Sequence, residues 1–280
     1  PEILKKYGDI LNPRPENWEP ITGNVTFDHV TFQYKSGERV LNDFSLEVRA
    51  GQTIALVGET GAGKSTIVNL LCRFYEPTEG SIQIDGVDYR ERTQLWLQSN
   101  LGYVLQTPHL FSGTIRDNIR FGKPDATDEE IREAARLVHA EPFILAQENG
   151  YETEIGESGA RLSTGQKQLL SFARVVLKNP RIFVLDEATS SIDTETEQLI
   201  QNAITHILNN RTSFIVAHRL STIRTADRIL VIRGGRIQES GTHAELLQLR
   251  GYYYDLYTQQ FCEDRTAESL GGTHEEHIKK

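Results

Sequence analysis

The chain has 280 residues, enough to bury a sizeable core in one or two domains, and 30 basic against 39 acidic residues give a formal charge of −9. That balance argues against an electrostatic nucleic-acid binder, which needs a basic face, although it leaves a local patch open. No run approaches the ~18–20 apolar residues of a membrane-spanning helix, and two cysteines, Cys72 and Cys262, make no disulfide framework and fit a reduced, cytosolic setting.

Residues 1 to about 22, with Asn12-Pro-Arg-Pro-Glu-Asn17, are rich in proline and polar groups and read as a linker. Period-two patterning follows in Val25 and Phe27, then Val30, Phe32 and Tyr34, and later Phe44, Leu46 and Val48. It predicts an N-terminal antiparallel β subdomain with one buried face. Thr53-Ile-Ala-Leu-Val57 is a short buried strand that runs into a glycine loop and a helix from about Lys64 to Phe74, with Pro77 set to help stop it.

Residues from about 107 to 178 read as mainly helical and form a second lobe. Thr127-Asp-Glu-Glu130 has the form of a capping box ahead of a stripe of Ile131, Ala134, Ala135 and Val138. Ser163-Thr-Gly-Gln166 repeats that form and opens a helix carrying Leu169, Leu170, Ala173, Val176 and Leu177, with Pro180 beyond its end. Ile182–Leu185 and Ser213–Ala217 lack alternation, as strands covered on both faces should. Arg228–Ile232, Gly234-Gly235 and Arg236–Glu239 read as a hairpin. Strands alternating with helices imply an α/β core with a parallel sheet. The tail, 263–280, reads as disordered, and His274 and His277 are too few to argue a metal site.

Gly58-Glu-Thr-Gly-Ala-Gly-Lys-Ser-Thr66 matches the phosphate-loop pattern of P-loop NTPases in full. Its glycines let the backbone of Gly58, Glu59, Thr60, Gly61, Ala62 and Gly63 turn N–H groups around phosphates, and the following helix adds its positive end. Lys64 is placed to reach the β- and γ-phosphates, the Ser65 hydroxyl to bind Mg²⁺, and Thr66 completes the set. Asp186 and Glu187 end a buried strand, where open α/β sheets place ligands. Asp186 would hold Mg²⁺ through water and Glu187 would polarise the attacking water.

Leu162-Ser163-Thr164-Gly165-Gln166 lies 20 residues before Asp186. With the phosphate loop and the Asp-Glu pair, it resembles the signature of the ATP-binding cassette (ABC) ATPases. Over about residues 22 to 262 the chain is similar to the nucleotide-binding domains of bacterial ABC exporters of the multidrug or lipid half-transporter type. Three segments carry that narrower resemblance: Leu110-Phe-Ser-Gly-Thr-Ile-Arg-Asp-Asn-Ile119, Thr153-Glu-Ile-Gly-Glu-Ser-Gly159, and Ala217-His-Arg-Leu-Ser-Thr-Ile223.

The resemblance implies ATP and Mg²⁺ as ligands, His218 as the switch histidine on the γ-phosphate, and Gln106 as the glutamine that senses Mg²⁺ and water. It makes Tyr34 the aromatic that stacks on adenine. Ser163, Gly165 and Gln166 at a helix N-terminus would face the γ-phosphate held by a second cassette, so that two cassettes sandwich ATP head to tail. Ser191 and Asp193 resemble the loop that joins the two sites. Thr164 stands where glycine is commoner, and Ser158 replaces an arginine common in Thr153–Gly159, the segment that resembles the loop touching coupling helices of a transmembrane domain.

The expected organisation is therefore a linker from a transmembrane domain (1–22), an ATP-binding domain (23–262) with a helical subdomain at about 107–178, and the tail. A start at Pro1 and the lack of any methionine fit a piece of a longer protein that sits at the cytoplasmic face of a membrane. An importer ATPase subunit is the nearest alternative, and Thr153–Gly159 discriminates against it. A non-transport ABC ATPase would carry long coiled coils or a second cassette, whereas only about 100 residues separate the phosphate loop from Leu162. A small-molecule kinase would have no use for Leu162–Gln166. The transported substrate, and homodimer against heterodimer, stay open.

Overall fold

Alternating residues early in the chain produce a strand pair. In this computed structural model, which describes residues 19–35, 37–186, 193–217 and 219–259, β1 (Val25–Gln33) and β2 (Arg39–Val48) run antiparallel, with Val25 opposite Val48 and Phe27 opposite Leu46. The apolar phase of β1 slips by one residue between Phe27 and Val30, and a bulge absorbs the slip. His29 sits at φ 48°, Asp43 at φ 53°, and the register shifts between Phe27 and Val30. β3 (Thr53–Val57) belongs to a second sheet. β4 (Glu79–Ile84) returns to pair with the other edge of β1, and β5 (Val87–Asp88) completes the order β2-β1-β4-β5.

The second sheet adds β6 (Leu101–Val104), β7 (Ile182–Asp186), β8 (Thr212–Val216), β9 (Arg228–Arg233) and β10 (Arg236–Gly241) in the order β10-β9-β3-β8-β7-β6. All its pairs are parallel except the β9–β10 hairpin. Its central strands are buried almost without interruption because each face has its own cover. Ala55, Val57, Phe183, Leu185, Ile215 and Ile229 join one apolar cluster with the helical layer. Their neighbours Ile54, Leu56, Ile182, Val184, Phe214 and Leu230 join the other, shared with the antiparallel sheet. Unbroken Val/Ile/Leu runs are what burial on both faces demands.

Helix α1 (Lys64–Leu71) buries Ile67, Val68, Leu70 and Leu71 in that second cluster. It ends before the expected Phe74, and Pro77 has no part in stopping it. Arg73 enters the left-handed region at φ 55°. Its N–H donates to the Leu70 carbonyl at 3.0 Å and the Phe74 N–H to that of Asn69 at 2.9 Å, a Schellman closure. The Arg73 guanidinium then donates to the carbonyls of Tyr89 and Arg92, each at 2.8 Å. Helix α2 (Gln94–Ser99) leads into β6.

The expected helical lobe comprises α3 (Ile115–Arg120), α4 (Asp128–Leu137), α5 (Glu141–Leu145) and α6 (Thr164–Lys178). Both predicted capping boxes form, Thr127 with Glu130 and Ser163 with Gln166, and a third joins Thr114 to Asp117. Leu169, Leu170, Phe172 and Ala173 of α6 pack with Ile131 and Ala135 of α4, while Val176 and Leu177 lie at that cluster's margin. Asn179, at φ 50°, closes α6 ahead of Pro180. The remaining helices are α7 (Thr194–Leu208), α8 (Leu220–Thr225), α9 (His243–Leu249) and α10 (252–259).

Residues 19–22, expected in the linker, are seated on the domain. Ile21 is buried, the Trp96 indole N–H donates to the Glu19 carbonyl at 2.9 Å, and Asp85 accepts from the N–H groups of Thr22, Gly23 and Asn24. The rest of the linker, Cys262 and the tail lie outside the described residues.

Candidate functional site

Parallel pairing brings the carboxyl ends of β3, β6, β7 and β8 to one edge of the sheet. Val104 stands opposite Leu185, and Asp186 and Leu56 both stand opposite Val216. Ligands gather at such an edge in open α/β sheets. The glycine loop leaves β3 there. Gly58 has φ 145°, and a Cβ on it would lie 2.2 Å from the Ile232 carbonyl oxygen, so the turn admits glycine alone. Gly63, at φ 109°, caps α1 without a side chain, so no cap side chain takes up its first N–H groups.

Lys64 is buried, and its Nζ donates to the carbonyls of Gly58 at 2.6 Å and Glu59 at 2.9 Å. Burial lowers the pKa of the ammonium, and the nearby Asp186 carboxylate works against that shift. A cleft of about 600 Å³ collects Tyr34, Thr60, Gly61, Gly63, Lys64, Ser65, Thr66, Gln106 and Asp186. Nine residues singled out from sequence thus share one space. Gly58, Glu59 and Ala62 complete the loop beside it. Ser65 is exposed among buried neighbours of α1, so its hydroxyl faces solvent, as does Gln106 two residues beyond β6.

Tyr34 follows β1 and is half-buried. Its hydroxyl lies 3.1 Å from that of Thr66, and its ring meets Phe32 and Tyr75 edge-on at 4.9 and 5.3 Å. Glu38 and Val40 also line the cleft, and the sequence reading missed them. Only the return of the β1–β2 hairpin brings them there, and nothing in their residue types signals it. The β9–β10 turn also meets the glycine loop, a contact the sequence does not signal: the Gly235 N–H donates to the Ala62 carbonyl at 3.1 Å.

Ser163, Gly165 and Gln166 do not line this cleft; they open α6. The Ser163 Oγ accepts from the Gln166 N–H at 3.2 Å, and the Gln166 side chain accepts from the Ser163 N–H at 3.0 Å. Gln166 is thereby committed to the cap. Ser163 and Thr164 are exposed at the helix start and Gly165 is buried, and the first N–H groups of a helix have no carbonyl one turn back to meet. Asp193 caps α7, accepting from the Thr196 N–H at 2.9 Å, which holds its carboxyl below the usual range. Glu187, Ser191 and His218 lie outside the described residues; β7 stops at Asp186, and His218 falls between Ala217 and Arg219.

Thr153–Gly159 is stitched to the segment before and into α3. The Ile115 N–H donates to the Thr153 carbonyl and the Ile155 N–H to that of Gly113, both at 3.1 Å. Ser158 adopts φ 51°, between Gly156 and Gly159, which are also left-handed. A divalent cation would find hydroxyl, carboxylate and amide oxygens in the cleft, from Ser65, Asp186 and Gln106. Among the described residues no three His, Cys, Asp or Glu converge on a cation. That donor set suits Mg²⁺, which takes few protein ligands and shares its shell with phosphate oxygens.

Known proteins agree with this geometry. A family profile described as ABC transporter matches residues 41–190. An uncharacterised ABC transporter ATP-binding protein of Bacillus subtilis, YfiC, is 50% identical over 261 residues, covering 90% of this chain and 43% of that protein. A fatty acid ABC transporter ATP-binding/permease protein of Mycobacterium tuberculosis is 51% identical over 254 residues, covering 89% of this chain and 40% of the relative. The solved structure of a bacterial Atm1-family ABC exporter with ATP bound superposes with a TM-score of 0.82 at 41% identity, over 92% of this chain and 46% of that one. The chain therefore spans less than half the length of these relatives. Matched across more than half its own length by the profile, and carrying its phosphate loop, Asp186 and Gln106 in one cleft, the chain belongs to the ABC transporter family as an ATP-binding domain.

Proposed function

We propose that this chain binds ATP with Mg²⁺ in the 600 Å³ cleft, hydrolyses it in a head-to-tail pair with a second cassette, and powers export through a membrane protein of which it is the cytoplasmic part. One observation carries the shared site: the cleft holds the phosphate loop, Asp186, Gln106 and Tyr34, while Ser163 and Gly165 open a helix outside it. Donors so placed have no phosphate to meet in their own chain. A second copy turned head to tail, or a similar cassette, supplies one.

In this reading Tyr34 supports the adenine, and N–H groups of residues 58–66 surround the β- and γ-phosphates. The buried Lys64 ammonium offsets their charge, more strongly than an exposed lysine because little water screens it. Ser65, Gln106 and, through water, Asp186 would hold Mg²⁺, which when bound neutralises charge developing on the phosphate oxygens. Glu187 takes the proton of the attacking water, a contribution of about 10²–10⁴-fold. His218 donates to the γ-phosphate, and Asp193 lies on the loop that links the paired sites. Thr153–Gly159, fixed to residues 113–115, is the surface for coupling helices of the membrane half and favours an exporter over an importer subunit.

The test is the Mg²⁺-dependent ATPase rate of the chain against its concentration, with Glu187→Gln as blank. A rate per molecule that climbs with concentration and vanishes in the variant supports the shared site. A rate per molecule independent of concentration, where no dimer forms, refutes it.

A further inference from the structure

The phosphate loop is gripped from the far end of the chain at three points. The Ile232 carbonyl crowds Gly58, the Gly235 N–H bonds the Ala62 carbonyl, and the Tyr252 hydroxyl donates to the Glu59 carboxylate across 193 residues. The third contact joins side chains, and Tyr252 is itself held firmly. The Arg233 guanidinium sits 4.9 Å from its ring centroid. The Glu239 carboxylate accepts from the N–H groups of Tyr252 and Tyr253, the opening residues of α10. Gly251 permits this approach, since a Cβ there would lie 2.3 Å from Glu239 Oε1.

A carboxylate inside a loop that receives a polyanion is electrostatically costly. Glu59 contributes its backbone carbonyl to Lys64, so the residue is fixed beside the phosphate site whatever its side chain does. We propose that Tyr252 is a positioning residue for nucleotide binding: its hydroxyl, backed by Arg233, holds the Glu59 carboxylate away from the phosphates. The C-terminal helix is thereby part of the nucleotide site. The inference rests on residues 58–66 being that site.

Tyr252→Phe keeps the ring and its cation contact and removes only the bond to Glu59. It is expected to raise the dissociation constant for ATP about three- to tenfold, the size of an ordinary net hydrogen bond, because this pair lies at the exposed rim of the loop. Turnover at saturating ATP stays unchanged, because the freed carboxylate opposes binding and not the chemical step. Adding Glu59→Gln to Tyr252→Phe removes the charge and brings affinity back towards that of the parent chain. Wild-type affinity in Tyr252→Phe overturns the proposal. So does a loss that Glu59→Gln fails to reverse, since that marks a structural effect of Tyr252 unrelated to charge. Lys64→Met checks the premise separately: undiminished ATP binding there would remove the site itself, not merely the role of Tyr252.

Discussion

Tyr34 joins the two ends of the candidate nucleotide site, because its hydroxyl meets Thr66 of the phosphate loop while its ring lines the same cleft. Two contributions can be separated. Tyr34→Leu removes the stacking surface and is expected to weaken ATP binding by ~1–3 kcal/mol, about five- to 150-fold. Tyr34→Phe keeps the surface and loses one hydroxyl pair, ~1 kcal/mol or about fivefold. Calorimetric titration of the two variants decides the matter, since equal losses would assign the effect to the Thr66 bond instead of the ring face. That Lys64, Ser65 and Asp186 share one cleft follows from motif spacing and a strand end, while Gln106 was placed with them only by its resemblance to a family segment. Glu38, Val40 and Tyr252 were not legible in sequence, since each arrives through a tertiary approach that leaves no mark on its neighbours in the chain.

At the scale of elements, local chemistry was legible wherever side chain and backbone close on each other within a few residues. The boxes at Thr127 and Ser163 formed as read, and the phase slip in β1 already contained the bulge at His29. The end of α1 was misread because a left-handed arginine is costly in isolation, and only distant carbonyls make it worthwhile. Relief of that strain by Arg73→Gly should return ~1 kcal/mol, whereas loss of two charge-assisted bonds to Tyr89 and Arg92 costs ~1.5–3 kcal/mol each. The variant is therefore expected to be less stable by about 2 kcal/mol or more, read as a lower urea midpoint at unchanged slope. The box at α4 predicts a pH effect. Lys123 and the Thr127 N–H hold Glu130 down to about 2 from its ordinary 4.5. Its folded-state value lies below the unfolded one, so its contribution is complete above pH 4.5 and fades as pH falls towards about 2. Melting temperatures of the parent chain and Glu130→Gln should differ at pH 6 and converge only as pH falls through about 2; a gap that persists below that would show that the charge is not what stabilises the helix.

Over the whole molecule, the α/β core was readable because two-sided burial forces uninterrupted apolar strands, and the helical lobe because its stripes and caps recur at helical spacing. Neither signal says which cleft a helix N-terminus serves, and the separation of Ser163 from the phosphate loop appears only in three dimensions. That separation yields a prediction about pairs of chains. Lys64→Met spoils the phosphate loop and leaves α6 intact. Ser163→Asp spoils the opposite half: aspartate is as good an N-cap as serine, so α6 stays folded, but it sets a carboxylate where the proposed head-to-tail pairing brings a partner's γ-phosphate. Each variant alone should be inactive, and Ser163→Asp should still bind ATP in its own cleft. When the two are mixed in equal amounts, half the pairs are mixed and each holds one sound composite site, so about a quarter of the parent activity should return. A site confined to one chain would give no recovery, because every molecule in the mixture would still carry its own defect.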